Sequence, residues 1–308
     1  MSTPFAHFFE KFNQISPLKH DFTEVLDTIA LKPITLYFHG KIPENVSKNG
    51  KFERPKTVAI VGARHNTRYG EEVAYQMAYR LAQRGVIIIS GLAYGIDSIA
   101  HKGALDAGGR TIAVLGTPID QIYPRAHEKL AQEIIQQDGA IISEMAPGAQ
   151  FFPKTSFLER NRIIAGLSDI VVVVEAAARS GSLNTAAHAL EQGKEVFAVP
   201  GNITNHYSEG CNKLIRQGAN PYTGFNDLAR ILFPEDFVRK TRNASKRVLT
   251  ADTEEEMMIL RALADGLRSG EEIIESTRLL AATFNQAITM LEIKGQVRAL
   301  GANNWCLA

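Results

Sequence analysis

Six short apolar segments rich in β-branched residues recur between positions 57 and 199, and they constrain the fold more than any other feature of the chain. They are Thr57–Val61, Val86–Ile89, Thr111–Leu115, Ala140–Ile142, Ile170–Val174 and Glu195–Val199. Such segments are typical of strands buried on both faces of a parallel sheet. Stretches with helical periodicity separate them, as at 70–83, 96–105 and 127–137. The alternation predicts an α/β fold with a doubly wound, mostly parallel sheet.

The rest of the chain divides into three further parts. Residues 1–55 form an N-terminal segment, with a short helix predicted by Phe5, Phe8, Phe9 and Phe12 and an extra strand at 36–38 that extends the central domain at 56–233. Residues 234–252 are a basic linker. Three helical stretches at 253–264, 269–276 and 280–294 precede a hairpin at 297–307. Three helices followed by a hairpin predict a winged helix over 253–308.

Charge and cysteine content narrow the class of protein. The chain has 34 Lys and Arg residues against 33 Asp and Glu, so a histone-like basic coat is excluded. Two cysteines are too few for a disulfide framework or a four-ligand zinc site, and the sequence predicts no metal and no cofactor. The first twenty residues lack the apolar core of a signal peptide, and the longest apolar run is far shorter than the ~20 residues that cross a bilayer. We therefore expect a cytoplasmic protein without a membrane partner.

Small residues follow almost every predicted strand. Gly62-Ala63-Arg64, Ser90-Gly91 and Ser180-Gly181-Ser182 are examples. The ends of parallel strands meet at one edge of a doubly wound sheet, where glycines and helix N-termini favour a bound anion such as phosphate. Each loop alone is better explained by turn chemistry, and only the convergence of several loops on one edge favours a binding site. Neither G-x-G-x-x-G nor G-x-x-x-x-G-K-[ST] occurs at the expected place, so a dinucleotide site and a P-loop are not predicted.

A second cluster, residues 151–168, mixes basic and aromatic side chains. Lys154, Arg160 and Arg162 supply cations, and Phe157 supplies a ring, the combination that single-stranded nucleic acid requires. We expect Phe151 and Phe152 to face the core. The Arg160-Asn161-Arg162 triplet precedes an apolar segment, which predicts a helix start near the crevice and a binding role, although Asn161 is also compatible with a buried structural place.

Four acidic residues also fall in the crevice loops: Asp97, Asp120, Glu144 and Glu175. Two interpretations stay open for them. They are suited to acid–base work, and they are equally suited to holding Arg64 or Arg160 and capping helices. His101 and His188 lie within helices without a ligand-spaced partner, so we expect packing or surface roles for both.

The ordered motifs of residues 55–225 resemble those of the DprA/Smf family. The motifs are V-A-I-V-G-A-R, I-S-G-L-A-Y-G-I-D, A-H-K-G-A-L, T-I-A-V-L-G, I-Y-P, R-N-R-I-I-A-G-L-S, V-V-V-V-E-A, S-G-S-L-N-T-A, V-F-A-V-P-G and G-C-N-K-L-I-R-Q-G-A. The resemblance implies an extended Rossmann-like domain that binds single-stranded DNA, associates with itself as a homodimer and hands incoming DNA to the RecA recombinase during natural transformation. It implies no catalytic activity.

The resemblance also assigns site residues. The family's phosphate-pocket motif falls on Gly62, Ala63 and Arg64, with Ser90 and Gly91 beside it. The lysine and the base-stacking aromatic of the family resemble Lys154 and Phe157. The R-N-R motif falls on Arg160, Asn161 and Arg162.

One alternative function belongs to a different class. Sheets of this shape also occur in nucleotide-binding enzymes, including phosphoribohydrolases with a P-G-G-x-G-T-x-x-E motif. Ser180–Ala186 takes the similar position here but lacks the double glycine and the closing acid. For the tail, five basic against nine acidic residues over 251–308 argue against reading duplex DNA and favour a protein-contact or regulatory role.

Overall fold

The computed structural model describes residues 11–48, 51–236 and 251–307. The chain divides into two compact units, Met1–Leu232 and Phe233–Ala308. The helix predicted near Phe5–Phe9 and the basic part of the linker, 239–247, lie outside the described residues. Each unit has its own buried apolar core.

The first unit is built on one nine-stranded sheet and a two-stranded ribbon. The strands are β1 (Asn13–Ile15), β2 (Leu36–Gly40), β3 (Val46–Lys48), β4 (Lys51–Glu53), β5 (Thr57–Val61), β6 (Ile87–Ser90), β7 (Thr111–Leu115), β8 (Ala140–Ser143), β9 (Ile170–Val173), β10 (Glu195–Ala198) and β11 (Asn220–Pro221). The sheet order is β1-β2-β8-β7-β6-β5-β9-β10-β11, and β3 pairs with β4. All strands from β8 to β11 in this order are parallel.

Seven helices cover the sheet. They are α1 (Arg68–Gln83), α2 (Ile96–Asp106), α3 (Glu128–Gln136), α4 (Pro153–Gly166), α5 (Gly181–Glu191), α6 (Glu209–Arg216) and α7 (Phe225–Leu232). Every residue of β5, β6, β7, β8 and β9 is buried, because helices pack on both faces. The doubly wound, mostly parallel α/β sheet predicted from the apolar segments is confirmed.

The extra strand predicted at 36–38 is present as β2. It pairs antiparallel with β8, and β1 pairs antiparallel with β2, so the N-terminal segment extends the central sheet. Arg162 also ties this segment down, because its Nε donates to the carbonyl of Leu31 at 2.7 Å.

The predicted helix start at Arg160 is wrong. Helix α4 begins seven residues earlier, at Pro153, so the Arg160–Arg162 triplet lies in its middle. Proline suits the first position of a helix because its fixed φ is already helical and its missing N–H has no helical partner there. The apolar run after the triplet is the buried end of the same helix.

The second unit is a winged helix. Its elements are α8 (Glu254–Ala264), α9 (Gly270–Thr277), α10 (Ala281–Ile293), β12 (Val297–Gly301) and β13 (Asn304–Leu307). The predicted cap of the first helix is present, because the Thr253 hydroxyl accepts from the backbone N–H of Glu256 at 3.2 Å. Ala302 and Asn303 have φ of 48° and 57°, which fits a tight hairpin turn. No helix in the described ranges is long and apolar enough to cross a membrane.

Candidate nucleic-acid interface

An open cavity of about 670 Å³ lies at the carboxyl edge of the sheet. Five segments of the chain line it: the end of β5 with the residues that follow it, residues that follow β6, Tyr123 after β7, one face of α4, and the start of α5. The predicted residues Gly62, Arg64, Phe157, Arg160 and Asn161 are all in this lining. The convergence of strand ends therefore brings half of the sequence-predicted site together.

Arg160 forms the floor of the cavity and is 8% exposed. Its Nη1 donates to the carbonyl of Gly91 at 2.9 Å and also to the carbonyl of Val114. Burial lowers the pKa of Arg160 to about 10, against the opposing attraction of Asp97. The guanidinium is thus a fixed, buried positive charge beneath the cavity.

Asp97 balances that charge from the first turn of α2. Burial raises its pKa, while Arg160 and the N–H groups of Gly91, Ala93 and Gly62 oppose the rise. Its Oδ2 accepts from the Gly91 N–H at 3.1 Å. A Cβ on Gly91 would lie 2.6 Å from Arg160 Nη2 and 2.7 Å from Asp97 Oδ2, so only glycine lets the two charges face each other across this loop.

Three predicted phosphate-binding residues have internal partners instead. The Ser90 hydroxyl is fully buried and donates to the carbonyl of Ile60 at 2.7 Å. The Gly91 N–H is used by Asp97, and the carbonyl of Ala63 accepts from the N–H of Ile96 at 3.2 Å. These residues shape the loops around the cavity but are not in its lining. Direct contact of the three with DNA stays a prediction.

The other two members of the Arg160–Arg162 triplet differ in their relation to the cavity. Asn161 lines the cavity, and its amide donates to the carbonyl of Gly181 and to Asn184 Oδ1, both at 3.2 Å, which joins α4 to α5. Arg162 is not in the lining. Its Nη2 lies 2.7 and 2.8 Å from the two carboxylate oxygens of Glu144. The structure gives Arg162 a bracing place between α4, the loop after β8 and the N-terminal segment.

Phe157 is the aromatic centre of the cavity. Its ring is half-buried and lies 5.4 Å from the ring of Tyr123 and 6.4 Å, edge to face, from that of Phe151. The guanidinium carbon of Arg64 lies 5.6 Å above the Phe157 ring. Arg64 is exposed and has no carboxylate within 4 Å among the described residues. A ring and an unpaired cation are therefore presented together.

Two further predicted residues sit at the start of α4. Lys154 lies in the first turn, one turn before Phe157, and its side chain is outside the described part of the chain. Phe152 is 61% exposed, so the expectation that it packs into the core is wrong. Phe152 directly precedes the first residue of α4, where its side chain is exposed to solvent and does not pack against the sheet.

The crevice carboxylates bond within the protein. Glu175 is 1% exposed and accepts from the N–H and hydroxyl of Thr67, at 2.8 and 2.6 Å, which fixes the start of α1. Asp120 accepts from the Gly148 N–H at 3.0 Å. With Asp97 facing Arg160 and Glu144 bonded to Arg162, the interpretation that these acids hold side chains and cap helices is the one the hydrogen bonds support.

The sequence analysis placed Ser180-Gly181-Ser182 at this edge but assigned no binding role to the start of α5 or to Tyr123, the aromatic neighbour of Phe157. Ser182 and Thr185 line the cavity, and Ser180 caps α5 by accepting from the Ser182 N–H. This wall adds hydroxyls and a helix N-terminus, both favourable to phosphate. The signals were the Ser180-Gly181-Ser182 turn after the fifth strand and the Tyr123-Pro124 pair after the third.

Known protein families and proteins match this chain. The family model described as DNA recombination-mediator protein A matches residues 13–232, and the model described as DprA winged helix domain matches 243–303. DNA processing protein DprA of Streptococcus pneumoniae is 41% identical over 71% of this chain and 74% of its own length. Protein Smf of Escherichia coli is 53% identical over 53% of this chain, and the match spans 43% of that protein.

A solved structure supports the same assignment. DNA processing protein A from Helicobacter pylori superposes with a TM-score of 0.63 and 30% identity, over 73% of this chain and 97% of that one. Of the two family models, the first covers the sheet that builds the cavity and the second covers most of the winged helix. This chain belongs to the DNA recombination-mediator protein A family, also called the DprA/Smf family.

Proposed function

We propose that this protein binds single-stranded DNA at the carboxyl edge of its sheet. The observation that carries the proposal is Phe157, half-buried in an open cavity beneath the unpaired cation of Arg64, in a lining that also holds the buried charge of Arg160. Aromatic rings stack with bases and cations neutralise phosphates, and the combination needs no particular base sequence. The Helicobacter pylori protein, whose structure concerns its single-stranded DNA binding mode, supports the proposal.

The family resemblance also supports a physiological role. We infer that the protein protects incoming single strands in the cytoplasm, as a homodimer, and loads the RecA recombinase onto them during natural transformation. A protein that delivers a strand must release it, and an open cavity with a few cationic contacts suits reversible binding whose strength depends on salt.

Binding is best tested by fluorescence anisotropy with a labelled strand and its duplex, at ~50 and ~200 mM salt. We expect tighter binding of the single strand at both concentrations, with weaker binding of both DNAs at the higher one. Equal or tighter binding of the duplex under matched salt would contradict the proposal.

We also propose that the protein does not turn over nucleotides or DNA. Asp97, Glu144 and Glu175 are each engaged by a neighbouring arginine or by the start of α1, and none is left to activate a water. The competing function is a nucleotide hydrolase. Release of free base from a nucleoside monophosphate, or of phosphate or nicked DNA, that is lost on Glu175→Gln would favour that competitor.

A further inference from the structure

Three exposed tyrosines, here called the tyrosine row, come after three neighbouring strands at the carboxyl edge of the sheet. Strands β7, β6 and β5 are neighbours in that order, and Tyr123, Tyr94 and Tyr69 follow them. The three side chains are 46%, 48% and 49% exposed. Tyr123 lines the cavity, whereas Tyr94 and Tyr69 lie outside its lining. Tyr94 directly follows the cavity residue Ala93, and Tyr69 lies five residues after the cavity residue Arg64. The row therefore has one member in the cavity and two members close to it along the chain.

Each ring is held by one contact. The Tyr123 ring lies 5.4 Å from that of Phe157. The Tyr94 ring lies 5.0 Å from the ring of His127, whose Nδ1 is 2.8 Å from the carbonyl of Leu92. The Tyr69 hydroxyl donates to the carbonyl of Pro200 at 3.0 Å. Rings that are fixed yet half-exposed lose little conformational entropy when a planar group stacks on them.

Unpaired cations accompany the row. Arg64 lines the cavity after β5, and Arg68 directly precedes Tyr69. Both are exposed, and neither has an acidic partner within 4 Å in the part of the chain that the structure describes. Rings interleaved with free guanidinium groups match the alternation of bases and phosphates along one strand.

We propose that Tyr123, Tyr94 and Tyr69 form a stacking track that carries the strand from the cavity toward the start of α1. The track rests on the proposed binding of single-stranded DNA and extends it beyond the cavity. Because the Tyr69 hydroxyl reaches Pro200, which follows β10, the three side chains lie along the edge from β7 to β10. That edge spans ~19 Å at ~4.8 Å between strands, which is long enough for several nucleotides of one strand. Duplex DNA has its bases paired and stacked internally, so the track also favours single strands.

Tyr94 provides the decisive test because the cavity does not include it. We expect Tyr94→Ala to weaken binding of a dT oligonucleotide about 5- to 150-fold, the loss expected for one stacked base, with an unchanged salt slope. Tyr94→Phe keeps the ring and should bind as the wild type does. Tyr79→Ala is the matched control: Tyr79 stacks on Tyr75 within α1, about 15 Å from Tyr69 along the helix.

The outcomes separate the track from the binding proposal. If Phe157→Ala weakens binding but Tyr94→Ala does not, the cavity binds DNA and the track is overturned. If Tyr94→Ala and Tyr94→Phe weaken binding equally, the hydroxyl acts and stacking is overturned. If the wild type does not bind the oligonucleotide at all, the proposed function itself fails. Melting temperatures of the four variants establish that each is folded.

Discussion

Arg160 and Arg162 are equivalent in sequence, and only the helix distinguishes them. Residues two apart on an α-helix are rotated by ~200°, so the two guanidinium groups face opposite sides of α4. One enters the cavity floor, and the other pairs with Glu144. The sequence predicted one cationic cluster, whereas the structure places only Arg160 in the cavity lining. Which of the two cations lies there depends on which face of α4 packs toward the cavity, and distant contacts such as Glu144 with Arg162 set that face.

We predict that Arg160→Ala destabilises the fold rather than only weakening DNA binding. Removing one member of a buried charge pair leaves Asp97 uncompensated and costs roughly 3–5 kcal/mol of unfolding free energy. Urea titration of the variant measures this directly. Arg64→Ala removes an exposed cation and is the control, with an expected change within about 0.5 kcal/mol. Equal stability of the two variants would show that the Asp97–Arg160 pair is not structural.

His101 should make stability depend on acid. Its side chain is fully buried, with Nδ1 2.7 Å from the Thr111 hydroxyl, and burial lowers its pKa to about 3, with His127 and Arg160 adding to the shift. In the unfolded chain His101 binds a proton near pH 6.5, whereas in the folded protein it stays neutral until about pH 3. Stability contributed by this residue is therefore full above about pH 6.5 and falls by up to ~1.4 kcal/mol per unit below it.

Urea unfolding at several pH values between about 4 and 7 checks this expectation. The wild type should lose stability on acidification more steeply than His101→Gln, which cannot titrate. Other groups titrate in both proteins, so the difference between the two profiles isolates His101. Parallel profiles would mean that His101 is not held neutral in the folded state.

At the scale of elements, the packing of α4 against the end of β7 sets the position of the aromatic ring. Gly116 follows β7, and a Cβ there would lie 2.6 Å from Phe157 Cδ1. We predict that Gly116→Ala displaces the ring and weakens single-strand binding by up to ~1–3 kcal/mol, the value of one stacked base. Gly224→Ala is the control, because a Cβ there meets nothing within 4 Å. Equal single-strand binding by the two variants, measured by fluorescence anisotropy, would contradict this prediction.

Elements with local signals were predictable, and those that depend on distant partners were not. Thr57–Val61 and Thr111–Leu115 are strands at the predicted bounds because β-branched runs specify a buried strand locally. Strands β1 and β11 have three and two residues, and they exist because a neighbouring strand offers a partner. The same holds for the candidate site, whose loops were predictable from local sequence. The hydrogen-bond partners of Ser90 and Arg162 were not predictable, because they lie 30 and 18 residues away along the chain.

Besides the unit that contains the proposed DNA-binding cavity, the chain has a winged helix that is poorly suited to duplex DNA. Lys294, directly after α10, lies 2.6 and 2.8 Å from the Glu256 carboxylate oxygens and 2.8 Å from Asp252. Hydrogen bonds to Asp252 and Glu256 raise the pKa of Lys294. Helix α10 would be the one to enter the major groove of duplex DNA, and the cation that follows it is neutralised within its own domain. This supports the protein-contact role.

We predict that a chain ending near Phe233 keeps most of its affinity for single strands. The first unit has its own core, and the removed part contributes only the basic linker, whose loss should cost little beyond nonspecific attraction. Anisotropy with the shortened and full-length proteins measures this. A collapse in affinity, with the first unit still folded by circular dichroism, would mean that the winged helix binds the strand.

The salt dependence of single-strand binding distinguishes phosphate contacts from base stacking in the cavity. Arg64→Ala and Lys154→Ala should each lower the slope of log affinity against log salt by ~0.7, because each removes about one phosphate contact and its released counterion. Phe157→Ala should cost ~1–3 kcal/mol of binding with the slope nearly unchanged, since a neutral ring releases no ions. If Arg64→Ala leaves both affinity and slope unaltered, or Phe157→Ala melts early yet binds normally, the strand does not follow this cavity.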